Sequence, residues 1–347
     1  MLSPTNATAC TSWYFNMSKI LITGASGFIG SCLVEEAIAK NHQVWAGIRS
    51  TSSRQFLEFP GLNFIDLDYS DPNSLEQKLK QFSVFDYVIH NMGLTKAMQS
   101  SDYFRCNTQY TKNLAEALIR SGRIPLKFIY MSSLAAFGPG GSESSGPIRL
   151  SDPPNPVTAY GKSKLESEKF LQGLKGFPWI IIRPTAVYGP REKDLLSVFR
   201  LINNRIEPLV GPENRILSFV FVKDLVRLVL KAMESEISYR SYFVSDGRKY
   251  GRNSFTEAIK AALEKKTFSV SVSDRMLKTI SWMAEKISAL KGQSSSISED
   301  KLSELTALNW DCDVSAIATD FNFKAKQDLL SGVRETANWY KENNWLK

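Results

Sequence analysis

Between residues 19 and 183 short apolar segments alternate with stretches of helical spacing, and this alternation narrows the fold more than any other feature of the chain. Lys19–Thr23 (KILIT), Gln43–Ile48, Leu62–Asp66, Asp86–Asn91 (DYVIHN), Leu126–Ser132 (LKFIYMS) and Trp179–Arg183 (WIIIR) are nearly continuous in apolar residues. A strand that is apolar on both sides must be covered on both sides. Strands of this kind alternating with helices, here Phe28–Lys40 and a helix near Asp102–Ser121, build a parallel sheet with helices on its two faces. The expected fold class is α/β, a doubly wound parallel sheet.

After about residue 190 the rhythm breaks. Lys193–Arg205 reads as a helix, Phe219–Val222 as a strand, Asp224–Met233 as a helix and Tyr242–Val244 as a strand; the rest is mainly helical, closing with a helix over 327–342. This predicts a dinucleotide-type domain over 17–190. A smaller, mainly helical substrate region over 191–347 follows, from which about 219–245 returns to the first domain. Met276, Leu277, Ile280, Met283, Ala284, Ile287 and Leu290 form one apolar stripe at helix period, flanked by Lys278, Lys286 and Lys291. The stripe predicts a helix packed on the second domain, with a membrane-surface helix as the alternative. Gly292–Asp300 reads as a polar loop. Residues 1–16 lack the basic start and apolar core of a signal peptide, so the reading is a disordered extension ahead of the compact chain.

Thr23–Gly30 reads TGASGFIG. It leaves the first strand and opens the first helix, the context in which spaced glycines bind a pyrophosphate. Gly24, Gly27 and Gly30 allow a tight turn and a close helix. The backbone of Ser26, Gly27, Phe28 and Ile29 then faces the phosphates at the positive end of that helix. The sheet is therefore expected to be of the Rossmann type. The second strand ends Ala46-Gly47-Ile48-Arg49-Ser50, with no acid for an adenosine ribose. Arg49, helped by Ser50 and Arg54, can pair with a 2′-phosphate instead, which favours NADP(H) and leaves NAD(H) possible.

The net charge of +8 over 347 residues is scattered, and Lys265-Lys266 is the longest basic run, so no nucleic-acid arm is expected. No apolar run is long enough to span a bilayer. Cys10, Cys32, Cys106 and Cys312 form no CxxC pair, which predicts a reducing, cytoplasmic setting. With His42 and His90 as the only histidines, no metal site is expected. His90, in an apolar strand end, reads as a packed core residue. Glu143, in the loop Gly138–Gly146, reads as solvated.

Ala159–Lys164 reads AYGKSK, just past Pro153, Pro154 and Pro156. On a helix Tyr160 and Lys164 share one face. A free phenol titrates near pH ~10, and a nearby ammonium lowers that value toward what a proton shuttle needs. The fifth strand runs into Ser132-Ser133, at the sheet end where ligands bind, so a serine hydroxyl there can hold a substrate oxygen.

With these motifs in this order the chain resembles the extended short-chain dehydrogenases/reductases, which include nucleotide-sugar epimerases and dehydratases, dihydroflavonol reductases and 3β-hydroxysteroid dehydrogenases. The resemblance implies that Ser133, Tyr160 and Lys164 are the catalytic residues. It implies that Asp68 and Tyr69 of Asp68-Tyr69-Ser70-Asp71-Pro72 meet the adenine, and that Asn107 is the asparagine of the NxxxT element. Pro184 and Val187 of Arg183–Pro190 would lie beside the nicotinamide, and the backbone near Asn91 against the cofactor. The chain departs from the family in reading His90-Asn91-Met92-Gly93 where HLAA is usual. It also carries Leu217 where epimerases often place a diphosphate-binding arginine, with Arg215 the nearest substitute. Residues 134 and 135 are Leu and Ala, which disfavours dehydration.

The function these features predict is hydride transfer between a nicotinamide and a carbonyl or secondary-alcohol carbon of a small molecule. The alternatives are a nucleotide-sugar 4-epimerase with tightly bound NAD and a non-catalytic dinucleotide sensor. A homodimer is a further expectation from the resemblance.

Overall fold

The computed structural model describes residues 17–141, 146–273, 275–279, 281 and 299–347. The expected extension 1–16, Glu143, most of the apolar stripe beyond Thr279 and the loop up to residue 298 lie outside the described residues. The first half runs β1 (Lys19–Thr23), α1 (Phe28–Ala39), β2 (Gln43–Ile48), β3 (Asn63–Asp66), α2 (Pro72–Lys80), β4 (Tyr87–His90), α3 (Ser100–Tyr103), a π-helical segment (Phe104–Gln109), α4 (Tyr110–Arg120), β5 (Lys127–Met131), α5 (Ala159–Gly173) and β6 (Trp179–Pro184). Then follow β7 (Ala186–Tyr188), α6 (Leu196–Asn203), β8 (Ile206–Val210), β9 (Ile216–Leu217), β10 (Phe219–Phe221), α7 (Val222–Glu234), β11 (Arg240–Val244), β12 (Tyr250–Gly251), α8 (Ser254–Leu263) and β13 (Phe268–Val272). The chain ends with α9 (Glu299–Thr306), α10 (Ser315–Phe321) and α11 (Leu329–Glu342).

Seven strands form one parallel sheet in the order β11-β6-β5-β4-β1-β2-β3. The alternation of side chains explains why each strand is apolar throughout. Ile20, Ile22, Val44, Ala46, Ile89, Ile129 and Ile180 pack into a core with α1 and α7. Leu21, Trp45, Val88, Phe128, Tyr130 and Ile181 point the other way, into a core with α2, α4 and α5. Strand order reverses between β1 and β4, which opens a crevice at the carboxyl ends. The register sets Thr23 beside Gly47 and His90, and His90 beside Tyr130. The loops that leave this row carry the predicted site residues.

Beyond the main sheet, the described residues form three two-stranded sheets, β10-β7, β12-β9 and β13-β8; all of their strands but β7 lie in the C-terminal region expected to be mainly helical. Of their strands β10 was expected; β7, β9 and β12, of two or three residues, are too short to show a period-2 pattern, whereas β13 (FSVSV) alternates and was missed. Helix α9 starts at Glu299, so the polar loop ends earlier than expected. Val222 opens α7 instead of closing the strand before it.

An aromatic core of Tyr188, Phe199, Phe219, Phe255 and Tyr340 closes the second region. Asp224, at the start of α7 and buried, ties the C-terminal chain down. Its Oδ2 accepts the Lys326 and Gln327 backbone N–H groups, each at 2.9 Å, and its Oδ1 accepts Arg227 Nη2. Asp224→Ala strands those donors, so stability should fall by about 1–3 kcal/mol. Thermal or denaturant unfolding checks this; an unchanged midpoint would show that the tie contributes nothing.

Candidate active site

The turn after β1 is built for close approach. Gly24 has φ +64°, and a Cβ there would lie 2.8 Å from the backbone of Met92. A Cβ at Gly30 would lie 2.1 Å from the Gly24 carbonyl oxygen, so only glycine lets α1 cross β1 at this distance. The Gly27 N–H donates to the Gly24 carbonyl, 3.1 Å. Helix α1 starts at Phe28 with no side-chain cap and no acid in its first turn. Its first amides, at Phe28 and Ile29, are thus left to an anion. This cradle fits the pyrophosphate of a dinucleotide, beside the half-buried Ser26.

Arg49 follows β2 and is exposed; among the described residues its side chain makes no hydrogen bond or ion pair. Arg54, expected to help it, lies over the Phe64 ring at 4.3 Å and is engaged there. Asp68 is exposed at the end of β3, and its Oδ1 accepts the Ser70 N–H (2.9 Å) and hydroxyl (2.6 Å), which holds its carboxyl below the usual range. The structure turns Tyr69 away from Asp68. Its ring is buried and stacks on Tyr110 in the core, so what it can present to an adenine is backbone.

At the end of β4, Asn91 is half-buried and its carbonyl carbon lies 2.9 Å from where a Gly24 Cβ would sit. His90 is fully buried between the hydroxyls of Thr23 (2.8 Å) and Thr111 (2.9 Å). Burial pushes its pKa down to about 3, with Lys164 adding to the effect, so it is a neutral packing residue. Asn107 clamps this segment: its Oδ1 accepts Leu94 N–H at 2.7 Å, and its Nδ2 donates to the Leu94 carbonyl and to Ser163 on α5. Gly93 makes room for Lys164, whose Nζ would be 2.9 Å from a Cβ there.

Ser133 and α5 meet at the next strand end. Thr158 caps α5 by accepting the Gly161 N–H, 3.0 Å. Two residues on, Tyr160 is half-buried under Tyr103. Lys164 is 3% exposed, donates to the Met131 carbonyl at 2.8 Å and lies 4.9 Å from the Tyr130 ring. Burial pushes the Lys164 ammonium down to about 8, with Glu168 opposing. The phenol differs from its expectation. Burial pushes Tyr160 up, the neighbouring Ser133 hydroxyl works against the rise, and Glu304 and Tyr103 add to it. Lys164 is engaged by the strand end at the Met131 carbonyl, and desolvation is the largest cause of the rise at Tyr160. Pro184 is buried at the end of β6, and Val187 is half-buried on β7.

Two acids were missed in the sequence. Glu168, one turn below Lys164 and 1% exposed, accepts the Ser132 hydroxyl and a double hydrogen bond from Arg183, whose Nη2 is 2.7 Å from Oε2. Tyr160, Lys164 and Glu168 recur at every fourth residue, which was the available signal. Glu304, from α9, is buried; its Oε1 accepts the Thr158 hydroxyl at 3.0 Å. Nothing in the local sequence marked it. Its carbonyl accepts Arg215 Nη2 at 3.0 Å, so the arginine expected to face a diphosphate is buried and engaged inside the protein.

A sequence profile of the NAD dependent epimerase/dehydratase family matches residues 20–244. The chain belongs to that family. It is an enzyme of the extended short-chain dehydrogenase/reductase type, among relatives that are epimerases, dehydratases, dehydrogenases and reductases. It is 28% identical to a UDP-glucose 4-epimerase of Vibrio cholerae over 96% of this chain and 99% of that protein. It is 25% identical to a ceramide reductase of Caulobacter vibrioides over 94% of this chain and 96% of that protein. A Thermus thermophilus UDP-glucose 4-epimerase structure in complex with NAD shares the fold, with TM-score 0.74, 21% identity, and 93% and 98% of the two chains covered.

Glu168→Gln removes the charge that favours the Lys164 ammonium, so Lys164 should lose its proton at lower pH in the variant, and any alkaline limb of the pH–rate profile set by Lys164 should move to lower pH than in the parent. An unmoved limb would show that Glu168 does not act through Lys164.

Proposed function

We propose that this enzyme is an NADP(H)-preferring reductase of a carbonyl carbon, with Ser133, Tyr160 and Lys164 as its catalytic residues. The observation that carries the reading is the convergence at the end of β5: the Ser133 hydroxyl is hydrogen-bonded to the Tyr160 phenol, and Lys164, one turn further along α5, donates to the Met131 carbonyl at 2.8 Å. A carbonyl becoming an alcohol gains negative charge on its oxygen and needs a proton donor there; a phenol that keeps its proton at neutral pH is suited to that step. The bound nicotinamide supplies the hydride or, in reverse, accepts it.

Ser133, half-buried, donates to the substrate oxygen and stabilises the charge as it forms. Tyr160 gives that oxygen its proton. Lys164, buried and charged below about pH 8, offers the ammonium that holds a ribose and favours the phenolate left behind. Gly24, Gly27 and Gly30 with the amides of Phe28 and Ile29 would hold the pyrophosphate. Asp68 would meet the adenine side, and Arg49 the 2′-phosphate. Leu217 in place of an arginine, and Arg215 turned inward, favour a substrate without a diphosphate. The ceramide reductase among the relatives is consistent with a lipophilic carbonyl compound. The second reading, a nucleotide-sugar 4-epimerase with tightly bound NAD, is favoured by the epimerases that match over nearly the whole chain. Net consumption of NADPH separates the two, because an epimerase returns the hydride to its own substrate.

Tyr160→Phe should lower kcat by about 100-fold or more while leaving NADPH affinity nearly intact; retained turnover would refute the proton-donor role. Arg49→Asp should shift the NADPH/NADH affinity ratio toward NADH by about tenfold or more, read by titration of cofactor fluorescence. A constant ratio would remove Arg49 from the 2′-phosphate.

A further inference from the structure

The small parallel sheet of β8 and β13 buries Glu207 on one side and opens an apolar side to solvent, with Ser269 and Ser271 of β13 exposed at its edge. The register sets Phe268 beside Ile206, Val270 beside Pro208 and Val272 beside Val210, so these six residues share a face. The opposite face carries Glu207, which is 3% exposed. Its carboxylate accepts Thr256 Oγ1 (2.9 Å), Lys260 Nζ (2.8 Å), Thr267 Oγ1 (3.2 Å) and Ser269 Oγ (2.9 Å), and these bonds fix which way the sheet faces. The apolar face is correspondingly open: Phe268 is 79% exposed, Val270 43% and Ile206 42%. Parallel sheets are ordinarily covered on both faces, and an open apolar face of this kind marks an interaction site.

The surroundings say what covers it. Arg205 is exposed just before β8, Lys266 just before β13, and Arg275 and Lys278 follow β13 with Met276, 48% exposed, between them. Over 264–279 the sequence has four basic residues, Lys265, Lys266, Arg275 and Lys278, against Glu264 and Asp274. We propose that this face is a membrane-docking surface that seats on a bilayer bearing anionic headgroups. Phe268, Val270 and Ile206 enter the interface between headgroups and acyl chains, while Arg205, Lys266, Arg275 and Lys278 meet lipid phosphates. A second copy of the chain on the same face would set these cations against their equivalents, which disfavours a dimer there. The inference does not depend on the hydride-transfer reading: the surface lies in the C-terminal region and uses none of the residues assigned to the active site.

The test is flotation of the full-length enzyme with vesicles of phosphatidylcholine alone and of phosphatidylcholine mixed with phosphatidylglycerol. The expected result is binding to the mixed vesicles and little to phosphatidylcholine alone. Phe268→Ser should weaken that binding by about tenfold or more, and Arg205→Glu with Lys266→Glu should abolish it. Because these side chains are exposed, thermal unfolding and NADPH binding of the variants should match the parent, which separates loss of docking from loss of the fold. Three results would overturn the proposal. One is no binding to either vesicle. Another is binding that Phe268→Ser leaves unchanged, which marks a charge effect without insertion. The third is a dimer in sedimentation equilibrium that Phe268→Ser dissociates, which would assign the face to a second copy.

Discussion

A buried ammonium governs the geometry of this enzyme. Lys164 has almost no contact with solvent, and a charge in that position is stable only if the protein replaces the water it lost. The Met131 carbonyl, the face of Tyr130 and the Glu168 carboxylate one turn away take that role. Each comes from a different kind of constraint: a strand end, a core aromatic and a helix repeat. Together they fix the rotation of α5 against the end of β5, and with it the positions of Tyr160 and Ser133. Glu168 is held in turn by Arg183 on the neighbouring strand, so the ion pair inside the sheet and the Tyr160–Lys164 face of α5 form one connected unit.

The same lysine joins the end of β5 and α5 to the glycine turn after β1. Gly93 passes so near Lys164 that no side chain fits between them, and the residues just before it, Asn91 and Met92, press against Gly24 of the glycine turn after β1. Asn107 holds this middle segment from the π-helical turn and reaches α5 through Ser163. Glu304 brings the C-terminal region to the same place by accepting from Thr158, the residue that caps α5. Three separate stretches of chain thus converge on the first turns of one helix.

Much of this was legible in the sequence because the sheet is parallel and fully covered. Unbroken apolar runs such as KILIT and WIIIR located their strands to within a residue, and the glycines of the turn after β1 had no simpler explanation than close backbone approach. Helix α2 was not singled out, although Asp71 and Pro72 are its cap and first residue; its short polar surface gives little periodic signal. The sign of the Tyr160 shift was not legible either. Spacing shows that an ammonium is one turn away, but not that the ammonium points to the Met131 carbonyl or that an acid from residue 304 faces the phenol. Such facts depend on contacts between segments far apart in the chain. Strand β8 was missed for the same reason, since it becomes a strand only once β13 lies beside it.

The most direct test of the account is a crystal structure of the enzyme with NADP⁺ bound. The pyrophosphate should rest on the amides of Phe28 and Ile29, with the 2′-phosphate at Arg49. Lys164 and Tyr160 should reach the ribose beside the nicotinamide, whose ring should lie open to Ser133. A dinucleotide bound elsewhere, or one seated in the crevice with Lys164 and Tyr160 turned away from its nicotinamide end, would contradict the account.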